Sequence, residues 1–129
     1  MRKIILLILL SMSVLCYSQR YERMTKTLSV RILQNHKWSR WMSSKVRVLL
    51  IIDADRSKVT IYSKGTQIYD IISQDSHYFD TTEGIRSECW EYSVIDQDGD
   101  IGTLVVRYGA SWVQVYIRFA DIQWVYYLE

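Results

Sequence analysis

The sequence predicts an all-β protein, a single antiparallel meander of about eight strands. Three observations carry that expectation. Apolar residues recur at every second position along most of the chain, short polar links separate the runs, and no segment sustains a 3.6-residue apolar period.

The first run places Leu28, Val30 and Ile32 on one face against Ser29 and Arg31. Val46, Val48, Leu50 and Ile52 follow opposite Lys45 and Arg47, while Leu49 and Ile51 make the end of that strand apolar on both faces. Val59 and Ile61 alternate with Lys58, Thr60 and Tyr62; Ile68, Asp70 and Ile72 then share a face opposite Tyr69 and Ile71. Trp90, Tyr92 and Val94 alternate with Cys89, Glu91 and Ser93, and Leu104 and Val106 mark the next strand. Val113, Val115, Ile117 and Phe119 oppose Trp112, Gln114, Tyr116 and Arg118, and Ile122, Trp124, Tyr126 and Leu128 close the series. Such Val, Ile, Tyr and Trp content suits a half-buried pleated surface.

The links are hairpin chemistry. They are Asp53-Ala54-Asp55-Arg56-Ser57, Ser63-Lys64-Gly65-Thr66, Asp98-Gly99, Tyr108-Gly109-Ala110-Ser111 and Ala120-Asp121. A two-residue turn at Asp98-Gly99 needs φ > 0, which glycine supplies. Residues 34–44 and 73–84 are longer and have room for a crossover, a short helix or a rim loop. With no proline and only five glycines there is no candidate linker, so residues 19–129 read as one domain. Closure would remove the exposed edges of an aromatic-rich sheet, and a small closed up-and-down barrel of lipocalin-like shape is therefore expected over a two-sheet sandwich.

The N-terminus reads as a secretory signal peptide over residues 1–18: Arg2 and Lys3, an apolar run from Ile4 to Leu10, then small residues before a cut after Ser18. The apolar run is too short to span a bilayer. A lipid anchor at Cys16 is the competing reading, but Leu15 fits poorly before a lipidated cysteine; a retained anchor helix or no processing is the third. The mature chain would then be periplasmic or secreted, with no transmembrane span. Cys89 would be its one cysteine, leaving an intermolecular disulfide as the only pairing open to it.

The 16 basic and 14 acidic residues give a formal +2, which belongs to the leader because residues 1–18 hold Arg2, Lys3 and no acid. The remainder is neutral but polarised. Residues 19–64 hold eleven basic and three acidic side chains, and residues 65–129 hold three basic and eleven acidic. Each half complements the other, so nucleic-acid binding is not expected. In a closed meander each half becomes a sector, basic around Arg31, Lys45, Arg47 and Lys58, acidic around Glu88, Glu91, Asp96 and Asp98, with seams where the third strand meets the fourth and the last meets the first.

Catalytic and metal signals are weak. His36 and His77 lack ligand spacing for zinc. Cys89 lies beside Glu88 and Glu91, which oppose thiolate formation, so a buried strand cysteine is expected. Asp96, Asp98 and Asp100 resemble the start of a calcium loop, yet no bidentate Glu follows, and a solvated Asp-Gly hairpin accounts for them; Asp53 and Asp55 read the same way. Paired carboxylates for glycoside hydrolysis do not stand out, and nucleotide-binding and nucleophile-elbow motifs are absent. The reading is no enzyme, no cofactor and no metal.

The aromatics are the remaining signal: five Trp, ten Tyr and two Phe, all but Tyr17 beyond the leader. Alternation puts Trp90, Tyr92, Trp124 and Tyr126 inside. Tyr62, Tyr69, Trp112 and Tyr116 fall on the face opposite the aliphatic set, where cross-strand surface packing competes with a ligand-binding platform for a sugar, a peptide or a small apolar molecule.

Trp38-Ser39-x-Trp41, Ile52-Asp53-x-Asp55, Ile61-Tyr62-Ser63-Lys64-x-Thr66-Gln67-x-Tyr69-Asp70-Ile71 and Asp96-x-Asp98-Gly99, with a leader ending Ser18-Gln19, resemble a group of short exported proteins of uncharacterised function from Gram-negative anaerobes. The resemblance spans most of residues 38–127 and implies no activity; it implies a structural role for Trp38, Trp41 and the Asp-rich turns. The expected function is an exported non-catalytic binding or interaction protein. Its partner would be a small ligand, a glycan or an envelope protein; the alternatives are a lipocalin-like carrier of an apolar ligand or carbohydrate and a structural envelope-associated protein.

Overall fold

Alternation of apolar side chains makes β-strands throughout, and a computed structural model describes residues 20–82 and 84–129. The expected leader, with Ser18 and Cys16, lies outside the described residues. The strands are β1 (Arg20–Gln34), β2 (Lys37–Trp38), β3 (Met42–Lys45), β4 (Leu49–Asp53), β5 (Lys58–Ile61), β6 (Gln67–Thr82), β7 (Ile85–Ile95), β8 (Ile101–Tyr108), β9 (Val113–Arg118) and β10 (Ile122–Leu128). Every pairing is antiparallel. Strands β4 to β10 run in chain order, and β1 joins β4 to β10, so eight strands close an up-and-down barrel with β2 and β3 as additions to β1.

β1 makes that closure because it is long. Its first residues, Arg20 to Met24, pair with β4, while Thr25 to Ile32 pair with β10 on the other edge. A register shift between Thr25 and Thr27 bends it there. On the β3–β4 side the ladder is interrupted at residues 46–48, and the buried Thr25 fills the gap: its hydroxyl donates to the Val46 carbonyl at 2.6 Å and accepts from the Val48 N–H at 3.0 Å. The sequence pattern showed this strand only from Leu28, because residues 20–27 are mostly polar and the bulge breaks their alternation.

The segment 34–44 holds neither a crossover nor a helix. Leu33 pairs with Trp38 and Gln34 with Lys37 across Asn35 and His36, whose φ angles of 51° and 62° are both left-handed, as in a type I′ turn. The segment 73–84 is likewise a hairpin. β6 and β7 pair as far as Thr82 and Ile85 around Gly84 (φ 78°), forming an arm longer than its neighbours.

The barrel interior is filled across its middle by Leu50, Val59, Ile61, Val94, Leu104, Val106, Val115, Ile117 and Tyr126, each at most 3 % exposed. At about 1.5–3 kcal/mol per buried side chain, this packing drives the fold. One expected face is reversed. Tyr69 is buried beside Val59, its cross-strand partner, whereas Asp70 and Ile72 face solvent. Isoleucines on both faces of this strand made its alternation ambiguous.

The two sectors of charge are contiguous around the ring, and each seam carries an ion pair. Lys58 meets Asp70 at 3.6 Å across β5–β6, and Arg47 meets Glu129 at 2.9 Å where β10 returns to β1.

Candidate functional site

One end of the barrel is defined by the start of β1, the 54–57 turn, the β6–β7 arm and the β8–β9 turn. β5 leaves β6 after Asp70, so the arm continues with β7 as its partner. Two register shifts, between Ile71 and Ser73 and between Gln74 and Ser76, bend it. Asp75 secures the second: it accepts hydrogen bonds from Ser73 Oγ at 2.7 Å and Ser93 Oγ at 2.5 Å, and these, the Ser93 bond foremost, lower its pKa from the ordinary carboxylate value.

Beyond the bend, cross-strand pairing sets His77 beside Trp90 and Phe79 beside Glu88, and on the other edge of β7 it sets Glu88 beside Tyr108. Glu88, Trp90, Tyr92 and Tyr108 thereby line an open cleft of about 570 Å³ at the barrel mouth. The cleft is internally organised. Trp90 Nε1 donates to Glu88 Oε1 at 2.8 Å, and His77 Nε2 lies 3.2 Å from the same oxygen. The His77 ring stacks on the Trp90 indole with centroids 3.7 Å apart and planes 12° from parallel, and Arg86 covers Phe79 at 4.5 Å. Burial raises the phenol pKa of Tyr92 and Tyr108, with Tyr21, Tyr92 and Glu88 adding to the effect at Tyr108, so both keep their hydroxyl proton at neutral pH.

The arrangement offers three aromatic faces, hydroxyl groups that donate and accept, and one fixed carboxylate. Such a lining matches a molecule with both apolar faces and hydroxyls. Among the described residues that line this cleft, Glu88 is the one carboxylate.

The opposite mouth holds a more apolar cleft of about 350 Å³, lined by Leu28, Val30, Gln67, Tyr69, Ile122, Trp124 and Tyr126. Here Tyr69 donates to Gln67 Oε1 at 2.7 Å, and Gln67 Nε2 donates onward to the Tyr126 hydroxyl at 3.1 Å. Burial foremost pushes the Tyr69 phenol well above its ordinary value, with Tyr126 and Asp96 adding to the effect.

The four tyrosines and tryptophans expected as a platform are dispersed. Trp112 and Tyr116 both flank the Arg107 guanidinium, at 5.9 and 5.7 Å from the ring centroids. Tyr69 is inside the barrel, and Tyr62 is exposed after β5. Cys89 is buried on the outer face, 3.8 Å from Ser87 Oγ. Asp96 Oδ1 accepts the backbone N–H groups of Asp98 and Asp100 at 3.0 and 2.8 Å, and Gly99 has φ 87°, the geometry of an Asp-Gly hairpin turn. Among the described residues no three His, Cys, Asp or Glu side chains gather as a metal group.

Sequence reasoning placed Trp90 and Tyr92 inside but missed His77, Phe79, Glu88 and Tyr108. The signal was present: His77 and Phe79 alternate on β6, Glu88, Trp90 and Tyr92 on β7, and pairing across the turn at Gly84 puts both sets on one face. The fold and mouth define the protein as a closed antiparallel β-barrel with an aromatic cleft at one end. No family model, no curated protein and no solved structure matches the chain.

Proposed function

We propose that this is an exported, non-catalytic binding protein whose mouth of Glu88, Trp90, Tyr92 and Tyr108 takes a carbohydrate. The observation that carries the reading is the 570 Å³ cleft in which aromatic faces surround a carboxylate already oriented by Trp90 and His77. A sugar ring presents C–H faces to the aromatic rings and hydroxyls to the carboxylate. Preorganised groups lose little freedom on binding. The filled middle of the barrel weighs against an enclosed lipocalin-like carrier of an apolar ligand.

Calorimetric titration with chito-, malto-, xylo- and muramyl oligosaccharides tests the reading. Saturable binding of at least one series, lost in Trp90→Ala, is expected; no binding, or binding that Trp90→Ala leaves intact, contradicts it. A structural envelope role is the second reading. Past Ile71 the outer edge of β6 has no β5 partner among the described residues, and Ile72 on it is 55 % exposed. An envelope partner whose cross-link is lost in Ile72→Lys would favour that role.

Export follows from the leader. Cleavage after Ser18 would leave every described residue in the mature chain. Mass spectrometry of the exported protein should find Gln19 first, and a diacylglycerol-modified Cys16 would contradict this.

A further inference from the structure

At the end of the barrel opposite the aromatic cleft, β1 runs past its last β10 pair, Ile32 with Ile122, and folds over as β2 and β3. This flap is rigid. Ser39 N–H donates to the Ile32 carbonyl at 2.8 Å, and Ser39 Oγ accepts from Ile32 N–H at 3.0 Å. Arg31 stands between the rings of Trp38 and Trp41, 5.0 and 4.7 Å from their centroids, and its Nε donates to Gln123 Oε1 at 2.7 Å. Both indoles remain exposed, at 37 and 38 %, while Met42, 51 % exposed, pairs with Val30 on the other face of β1.

The flap and the strand that carries it are basic, and the acids at this end of the barrel are Asp121 and those of the β7–β8 turn, Asp96, Asp98 and Asp100. From Arg23 to Ile52 the chain carries seven basic residues and no acid. Lys37, Arg40 and Lys45 are exposed on the flap itself. The basic sector's three acids, Glu22, Asp53 and Asp55, lie outside this stretch, and two of them meet neighbours, Glu22 with Arg20 and Asp53 with Arg56. Asp121, whose carbonyl accepts the Leu33 N–H, is the acidic residue that the backbone pairing brings to the flap.

We infer that the flap docks on an anionic phospholipid bilayer. Indole rings settle at the headgroup boundary, while lysine and arginine answer the negative surface. Arg31 holds the two indoles side by side in advance, so little side-chain freedom is lost on docking. The sugar-binding cleft at the other end would then face away from the membrane.

The test uses the protein isolated from the producing cell with its N-terminus as processed there, and vesicles of phosphatidylcholine alone or with three parts in ten phosphatidylglycerol. Sedimentation should show binding to the anionic vesicles that falls as salt rises, with a blue shift of tryptophan emission. At roughly fivefold per basic residue near such a surface, Lys37→Ala/Arg40→Ala/Lys45→Ala should weaken binding by about a hundredfold. Trp38→Ala/Trp41→Ala should abolish the blue shift and weaken binding at least tenfold. Arg20→Ala/Arg56→Ala/Lys58→Ala removes as many charges at the far end and should bind as the unaltered protein does, circular dichroism confirming that each variant is folded. Equal binding to both vesicle types, a loss in the far-end variant as large as in the flap variant, or binding to anionic polysaccharide but not to vesicles would each overturn the inference.

Discussion

Glu88 shows how much a single side chain is constrained here: one of its oxygens faces both the Trp90 N–H and His77 Nε2, and the His77 ring covers the indole. Glu88→Gln keeps the shape and removes the charge. Hydrogen bonds to a charged group contribute about 1.5–3 kcal/mol, so oligosaccharide affinity should fall tenfold or more in calorimetric titration. Asp75 is a second residue with a defined electrostatic role. Its pKa in the fold is lowered from 3.8, so its contribution to stability is complete above that value and is lost as the pH falls through the lower folded value. Ser93→Ala removes the larger cause, and the Asp75 titration followed by NMR should then move upward toward 3.8. At Gly109 the indole of Trp112 occupies the space a Cβ would need, so alanine there must displace Trp112. In the core, Leu104 is fully buried, and Leu104→Ala should cost about 2–5 kcal/mol in urea unfolding.

At the scale of the elements, the turns carry most of the instruction. Asn35 and His36 both adopt positive φ, a conformation that costs a residue with a Cβ roughly 1–2 kcal/mol. His36→Gly should therefore stabilise the protein by about 0.5–1 kcal/mol, read as a higher urea midpoint with an unchanged slope. This turn also explains what sequence reasoning could and could not read. The Asp98-Gly99 turn was legible because glycine announces positive φ, whereas Asn35-His36 gives no such signal and left 34–44 open. The β6–β7 arm was illegible for a related reason. Polar and apolar residues mix on both its faces since, beyond the barrel, neither face is wholly buried, and its two bulges shift the alternation. The candidate site lies on that arm, so it was hidden while the barrel strands β4, β8, β9 and β10 could be read from Leu50, Leu104, Val115 and Tyr126.

Across the whole molecule, closure turns a linear charge split into geometry. The acidic sector's Arg107 and Arg118 pair with Asp80 and Glu91, and Lys58–Asp70 and Arg47–Glu129 bridge the seams. The strand order thus sets a basic sector, β1 to β5, beside an acidic one, β6 to β10, with a basic aromatic flap at one end and an aromatic cleft at the other. The buried phenols set its limit in alkali. Tyr69 and Tyr126 are raised above 10.0, chiefly by burial, so their stabilising contribution is complete below about pH 10 and is lost as pH rises through the folded values. Urea midpoints should fall above about pH 10, and less steeply in Tyr126→Phe. The central claim is that the mouth around Trp90 is where a sugar binds. The most direct measurement is NMR of the protein with the tightest-binding oligosaccharide. Intermolecular contacts from sugar protons to the Trp90 and Tyr108 rings are predicted; contacts to other rings, with the Trp90 indole resonance unmoved at saturation, would contradict the account.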